Sequence, residues 1–273
     1  VDEPWAGGAY GDRGRCVLAP NPGIMTLDGT NTWVLREPGA ERSVVVDPGP
    51  LDDAHLDAVA AAAGRVEYVV VTHHHIDHTE AARAFAERMG CGVRALDPEL
   101  CWRSEPVTDG EVIDVSGMRA EVLTTPGHTA DSISLLVPDD RALLTGDMVL
   151  GRGTTVIVHP DGDLGGYFAS IERMRALVTD GLVDTLWPAH GPVLTDAAGV
   201  LDYYAVHRRE RLAQVEAALT RLGLTPAHLP PDVAEHPTLP RQVVEVVYDD
   251  VDESLWGAAE WSVRAQLSYL ARS

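Results

Sequence analysis

Short apolar runs, each stopping at a polar or turn-forming residue, punctuate the first two thirds of the chain. Val17 to Ala19, Thr32 to Leu35, Ser43 to Val46 and Tyr68 to Val71 are too short for helices and rich in β-branched residues, so they predict strands. Ala120 to Thr125, Ala142 to Thr145 and Thr185 to Trp187 have the same form. Between the runs the period changes. Pro48-Gly49-Pro50 breaks the chain ahead of a helix expected over about Asp52 to Ala63. Residues 79 to 89 put Ala82, Phe85, Ala86 and Met89 on one helical face, and residues 163 to 179 do the same with Leu164, Phe168, Ile171, Met174 and Val178. Both faces read as core packing. Strands first, then strands alternating with helices, predict an α/β protein with helices laid over sheets.

Near residue 200 the pattern becomes wholly helical. Helices are expected at about 199 to 222, 240 to 248 and 254 to 271, with Pro226, Pro230, Pro231, Pro237 and Pro240 crowding the loop between the first two. This change divides the chain into a first domain over 1–200 and a second over 201–273.

Composition narrows the class. With 273 residues, 45% of them hydrophobic, the chain can bury a large core. No stretch approaches 18 consecutive apolar residues, so no membrane span is expected. The stretch Val1-Asp2-Glu3-Pro4-Trp5 shows no basic or apolar region of a signal peptide. Cys16, Cys91 and Cys101 are odd in number and lack metal-ligand spacing, which argues against a disulfide framework and for a reducing cytoplasm. The net charge is −21, and all 21 basic residues are Arg. That charge opposes long nucleic-acid partners. Screening confines the repulsion to about 8 Å at physiological salt, so a short anion or strand end can still reach a locally positive site. From residue 205 onward seven Arg face ten acidic residues, with no basic stripe. Arg208-Arg209 is the one adjacent basic pair and the sequence's candidate for a nucleic-acid contact.

The chemistry concentrates in Thr72-His73-His74-His75-Ile76-Asp77-His78, directly behind a strand-like run. Extended backbone alternates its side chains, so His73 and His75 point to one side. A turn at Ile76 brings Asp77 and His78 toward a second point nearby, so one loop can serve two cations. Imidazole with carboxylate favours zinc. Three more strand-like runs end in a ligand flanked by small or turn-forming residues: Pro126-Gly127-His128-Thr129, Gly146-Asp147 and Pro188-Ala189-His190-Gly191. A single histidine in such a place is commonly structural, but four such strand ends together make a metal site. His74 is expected to face away from it, and His55, His207, His228 and His236 have no metal-like context.

The order His-x-His-x-Asp-His, Gly-His, Gly-Asp and a final His resembles the metallo-β-lactamase superfamily of hydrolases. Further words in the chain resemble its β-lactamase-like protein 2 group: Asn21-Pro22-Gly23, Thr26-Leu27-Asp28-Gly29-Thr30-Asn31-Thr32, Gly127-His128-Thr129-Ala130-Asp131-Ser132, Gly151-Arg152-Gly153-Thr154-Thr155 and His207-Arg208-Arg209-Glu210-Arg211. The resemblance covers roughly residues 17 to 270 and departs at Thr79-Glu80-Ala81, where such proteins often carry Ser-Gly-Gly. It implies a metallo-β-lactamase αββα sandwich over the first domain and a helical, winged-helix-like appendage over the second. It also implies two Zn2+: His73, His75 and His128 hold one, Asp77, His78 and His190 the other, and Asp147 bridges them. Asp77 and Asp147 are then the catalytic carboxylates, beside a bridging hydroxide. Thr30, Asn31, Thr154, Thr155 and His159 lie in segments that resemble substrate-contacting walls.

Relatives with a zinc-bound thiolate would need Cys at Asp147, and flavo-diiron relatives Glu at His75. Nucleases with a large insertion between the last two ligands do not fit, because 42 residues separate Asp147 from His190. Two substrate classes remain for the expected zinc hydrolase. Phosphodiesters of short single-stranded RNA lead by resemblance, and small-molecule thioesters, as in hydroxyacylglutathione hydrolase and acyl-carrier thioesterases, suit the acidity better. A non-catalytic binding scaffold is the third class, and the intact ligand set speaks against it.

Overall fold

In the computed structural model, two β-sheets stand face to face with helices on both outer sides, and residues 4–272 are described. Val1, Asp2 and Glu3 of the polar N-terminal stretch lie outside the described residues. The first sheet is built in chain order from β1 (Gly8–Tyr10), β2 (Gly14–Leu18), β3 (Asn31–Leu35), β4 (Arg42–Val46), β5 (Arg65–Val70) and β6 (Gly92–Arg94). β1 to β4 pair antiparallel, while β4, β5 and β6 run parallel. Those parallel joints are crossed by α1 (Asp53–Ala63), the single turn α2 (Ile76–Thr79) and α3 (Ala82–Met89). The second sheet holds β7 (Val112–Val115), β8 (Met118–Thr124), β9 (Ile133–Val137), β10 (Ala142–Gly146) and β11 (Thr185–Pro188), in spatial order β11-β10-β9-β8-β7. β10 and β11 are parallel and are joined through α4 (Leu164–Thr179).

The strand side chains sort by parity, as extended backbone requires. Trp33, Leu35, Val44 and Val46 face the second sheet and meet Leu135, Val137, Leu144 and Trp187 in the central core. The rings of Trp33 and Trp187 stack across the gap, 4.9 Å between centroids and 12° between planes. Val34, Val45 and Val69 point outward onto Leu56 and Val59 of α1 and Phe85 of α3. Leu123, Leu136, Leu143 and Leu186 point outward from the second sheet onto Tyr167, Ile171 and Met174 of α4. Both faces of the central strands are therefore buried, which explains why they read as nearly unbroken apolar runs.

The last part of the chain is α5 (Ala197–Arg221), α6 (Leu239–Val247) and α7 (Trp256–Arg272), with short 3-10 turns between them. Among the described residues it contains no strand. The boundary expected at residue 200 falls inside α5. Leu201, Tyr204 and Ala205 of this helix pack on the second sheet's outer layer, whereas Val215, Ala218 and Leu219 pack on α6 and α7. The predicted helix from 79 differs in detail: the chain makes α2 first, and α3 starts at Ala82. β1, β6, β7 and β9 were not among the predicted strands. β1 and β6 are three residues each, too short for any period to register. No helix among the described residues is long and apolar enough to cross a membrane. Cys16, Cys91 and Cys101 are free thiols.

Candidate metal centre and its pocket

The C-terminal ends of four strands converge at one edge of the two sheets. The segment after β5 delivers His73, His75, Asp77 and His78, and those after β8, β10 and β11 deliver His128, Asp147 and His190. Each turn out of a strand is tight. Gly127 sits at φ +150°, where a Cβ would lie 2.5 Å from the Tyr167 Cα, and Gly146 sits at φ +51° against Thr72. The side chains gather as two groups, one of His73, His75, His128 and Asp147 and the other of Asp77, His78 and His190, with donor atoms within 4.8 Å of one another in each.

Hydrogen bonds at the far side of each ring fix which nitrogen faces the centre. The Thr72 hydroxyl gives its hydrogen to Asp47 Oδ2 at 2.7 Å, so at 3.1 Å it accepts from His73 Nδ1. His128 Nδ1 donates to the Val156 carbonyl at 2.5 Å, His78 Nδ1 to Asp47 Oδ2 at 2.9 Å and His190 Nδ1 to the Gly29 carbonyl at 3.2 Å. All four therefore present a bare Nε2. His75 presents Nδ1, which lies 2.9 Å from His73 Nε2 and 3.1 Å from His128 Nε2. Lone pairs facing one another at such distances repel unless a cation lies among them. His78 Nε2, His190 Nε2 and Asp147 Oδ1 are buried without a hydrogen-bond partner. The Asp147 oxygens divide between the groups: Oδ2 is 3.7 Å from His128 Nε2, and Oδ1 is 3.4 Å from His190 Nε2 and 3.7 Å from His78 Nε2. Asp77 Oδ2 lies 3.2 Å from His190 Nε2. The donor set fits two divalent cations, with neutral imidazoles and two carboxylates and no thiolate.

The electrostatics agree with that fit. Burial, reinforced by the neighbouring histidines, holds His73 and His128 below the ordinary imidazole range and brings His75 to about 4. Burial also opposes charge on Asp77 and Asp147, but bonds and charge from His190 and His78 outweigh it and keep both carboxyls well below their usual range. His78 and His190 are pushed the other way, His190 to about 9, because Asp47 and Asp147 overcome their burial. The second group is thus shaped to hold positive charge.

Asp47 is the residue that sequence reading missed. It follows β4, is buried, and adopts φ +51°. Its two oxygens take the Thr72 amide at 2.8 Å, the Thr72 hydroxyl and His78 Nδ1, so it orients one histidine of each group. The only sequence signal was an aspartate at the end of an apolar run, which Pro48-Gly49-Pro50 disguised as a turn.

A pocket of about 320 Å³ opens beside His128 and Asp147 and is closed on its far wall by α5, α7 and the chain after α6. Thr154 and Thr155 line it, as do Ile24, Met25, Leu27, Leu150, Val156, Val251 and Leu255, together with Arg208 and Arg211. Thr30 and Asn31 are fully buried and do not line it. Asn31 braces the His190 turn instead, its Nδ2 donating to the carbonyls of Pro188 at 2.9 Å and Gly191 at 2.8 Å. Thr30 pairs with His190 through the backbone. His159 is turned away to Glu235, 2.8 Å off, in a neighbouring hollow shared with Arg272. His74 bonds Asp131 at 2.9 Å, away from both groups. His55 is buried and bonded to the Thr32 hydroxyl at 2.9 Å. His207 borders the pocket and stacks on Tyr203. The adjacent basic pair is split: Arg208 is buried, and Arg209 is exposed and paired with Glu172 at 3.1 Å.

Comparison with known proteins agrees with this architecture. Residues 25–190 match the metallo-beta-lactamase superfamily, and residues 240–272 match the beta-lactamase associated winged helix domain. Lactamase-like protein vrtG of Penicillium aethiopicum is 32% identical over 266 residues, covering 89% of this chain and 80% of that protein. The beta-lactamase-like protein 2 homolog of Caenorhabditis elegans is 30% identical over 260 residues, covering 91% of this chain and 78% of that one. The crystal structure of a beta-lactamase domain protein from Burkholderia ambifaria superposes with a TM-score of 0.76 at 20% identity, over 98% of this chain and 89% of that one. With its match to the family over residues 25–190 and relatives about 30% identical along most of its length, this chain belongs to the metallo-beta-lactamase superfamily of hydrolases.

Proposed function

We propose that the chain is a two-zinc hydrolase acting on small acyl thioesters. The observation that carries the substrate class is the pocket: about 320 Å³, largely apolar, and opening directly on His128 and Asp147. Such a hollow suits an acyl chain better than an extended polyanion. The net charge of −21 and the inward turn of Arg208 weigh in the same direction.

In this reading His73, His75 and His128 would hold one cation, Asp77, His78 and His190 the other, and Asp147 would serve both groups. Divalent cations held there would supply a water acidic enough to attack near neutral pH and an electrophile for the developing oxyanion. Asp77, kept ionised by His190 and His78, orients the attacking water by accepting its hydrogen bond. The water oxygen bonds to the carbonyl carbon, the carbon–sulfur bond breaks, and the proton passes to the departing thiolate. Thr154 and Thr155 contact the substrate from the pocket wall, and the apolar residues exclude bulk water.

Cleavage of short single-stranded RNA is the second reading, favoured by the likeness to the β-lactamase-like protein 2 group. The deciding experiment assays the zinc-loaded protein side by side on acyl thioesters and short RNA. Thioester turnover with inert RNA is expected, and the reverse would overturn the substrate class. Elemental analysis after mild dialysis is expected to give two zinc ions per chain. One ion or fewer, or iron alone, would count against a two-zinc centre. The chain's residence in a reducing cytoplasm is part of the same proposal and accords with its free thiols.

A further inference from the structure

Arg208 and Arg211 stand three residues apart on α5, which puts them on one face, and both border the pocket. Arg208 is only 3% exposed. One of its terminal nitrogens donates to the Thr155 carbonyl, its guanidinium carbon lies 5.0 Å from the centre of the Tyr167 ring, and its Nε has no acceptor. Arg211 donates to the Val247 carbonyl at 3.1 Å and lies over Tyr248. Among the described residues no carboxylate forms an ion pair with either, whereas Arg209 between them pairs with Glu172. A buried guanidinium without a counter-charge is unfavourable unless something supplies one. The chain has 42 acidic residues, yet Asp147 at the metal end is the one carboxylate in the pocket lining. A strongly negative protein therefore keeps a positive hollow beside its metal centre.

We infer that Arg208 and Arg211 form a subsite for an anionic group on the substrate, a carboxylate or a phosphate monoester carried apart from the scissile bond. A guanidinium fork reads either anion by paired hydrogen bonds. Leu150, Val156 and Leu255 cover the apolar length of the molecule. The inference rests on this pocket being the substrate pocket of the proposed hydrolase.

The zinc-loaded protein is tested with three thioesters: pentanoyl N-acetylcysteamine, glutaryl N-acetylcysteamine, which adds a carboxylate at the same chain length, and pentanoyl 4′-phosphopantetheine, which adds a phosphate on the thiol side. At least one charged substrate should exceed the neutral one in kcat/KM by about 10-fold or more, the scale of a charge-assisted hydrogen bond. Which one does so identifies the anion. Arg208→Met and Arg211→Gln should narrow that preference through KM, and Arg208→Lys should keep part of it. Arg211 lies nearer the surface, so its variant serves if Arg208→Met fails to fold. Calorimetric titration with glutarate and with inorganic phosphate, on parent and variants, separates the two proposals. Anion binding that the variants lose, with no thioester turned over, supports the subsite and overturns the thioester reading. Thioester turnover without charge preference or anion binding, or variants that retain both, overturns the subsite.

Discussion

Asp47 Oδ2 lies 2.9 Å from His78 Nδ1, with both side chains buried, and the same oxygen accepts the Thr72 hydroxyl at 2.7 Å. One carboxylate outside both His/Asp groups thereby fixes, directly for His78 and through Thr72 for His73, the ring nitrogen that faces inward. Asp47→Asn keeps the size, and Asn tolerates the left-handed backbone that the position demands. The fold should survive, and zinc affinity should fall by roughly 10- to 100-fold, the usual effect of losing such support. Competition against a chromophoric chelator measures it, and unchanged affinity would remove the orienting role.

Asp147 faces both groups with its two oxygens. Asp147→Ala should lower turnover by at least about 100-fold, with fewer than two zinc ions retained and an unchanged circular dichroism spectrum. Near-parent activity with two bound zincs would refute the bridging assignment.

Gly127 leaves no room for a side chain, because a Cβ there meets the Tyr167 backbone at 2.5 Å and φ is +150°. Gly127→Ala should destabilise the fold by roughly 1–3 kcal/mol, the scale of overpacking, and should also weaken zinc binding by displacing His128. Thermal melting with parallel metal analysis tests both. A melting temperature equal to the parent's would mean that the loop yields freely.

His207 gives a pH dependence with a definite sign. Burial, then the charges of Arg208 and Arg211, lower its pKa to about 4, against about 6.5 for a free imidazole. Between those values the unfolded chain binds the proton and the folded chain does not, so this group's contribution to stability falls as pH drops from about 6.5 toward 4 and levels off below. His207→Gln removes that contribution. Melting temperatures of parent and variant, followed down this range, should converge or cross, with the parent losing more. Parallel curves would show that His207 titrates normally.

The members of the two His/Asp groups were legible in the sequence because each sits where an apolar run ends, and strand parity already put His73 with His75. Which face each residue of Thr32 to Leu35 takes was not legible: Trp33 and Leu35 turn inward and Val34 outward, but both faces are buried and the run is apolar throughout. Distant partnerships were not legible either. Nothing local marks Asp47 as the support of His78, 31 residues away. Asn31 and Thr30 stood in wall-like segments, but their bonds go to the His190 turn, a contact that only the pairing of distant strand ends creates. Arg208 and Arg209 looked like one basic patch because they are adjacent. A helix turns about 100° per residue, and the pair that shares a face is Arg208 and Arg211.

The 25-residue α5, about 37 Å long at the helical rise, belongs to two cores. Its first turns are set in the outer layer of the second sheet, and its last turns in the tail. His207, Arg208 and Arg211 ride on the stretch between. One wall of the pocket beside the His/Asp groups therefore hangs on a helix whose two ends belong to different cores. Repacking of Val243, Val263 or Leu267 in the tail can tilt that helix and reshape what the pocket admits, with every strand-end loop untouched. Variation among relatives in choice of substrate should accordingly concentrate in the tail, while the strand-end loops stay fixed.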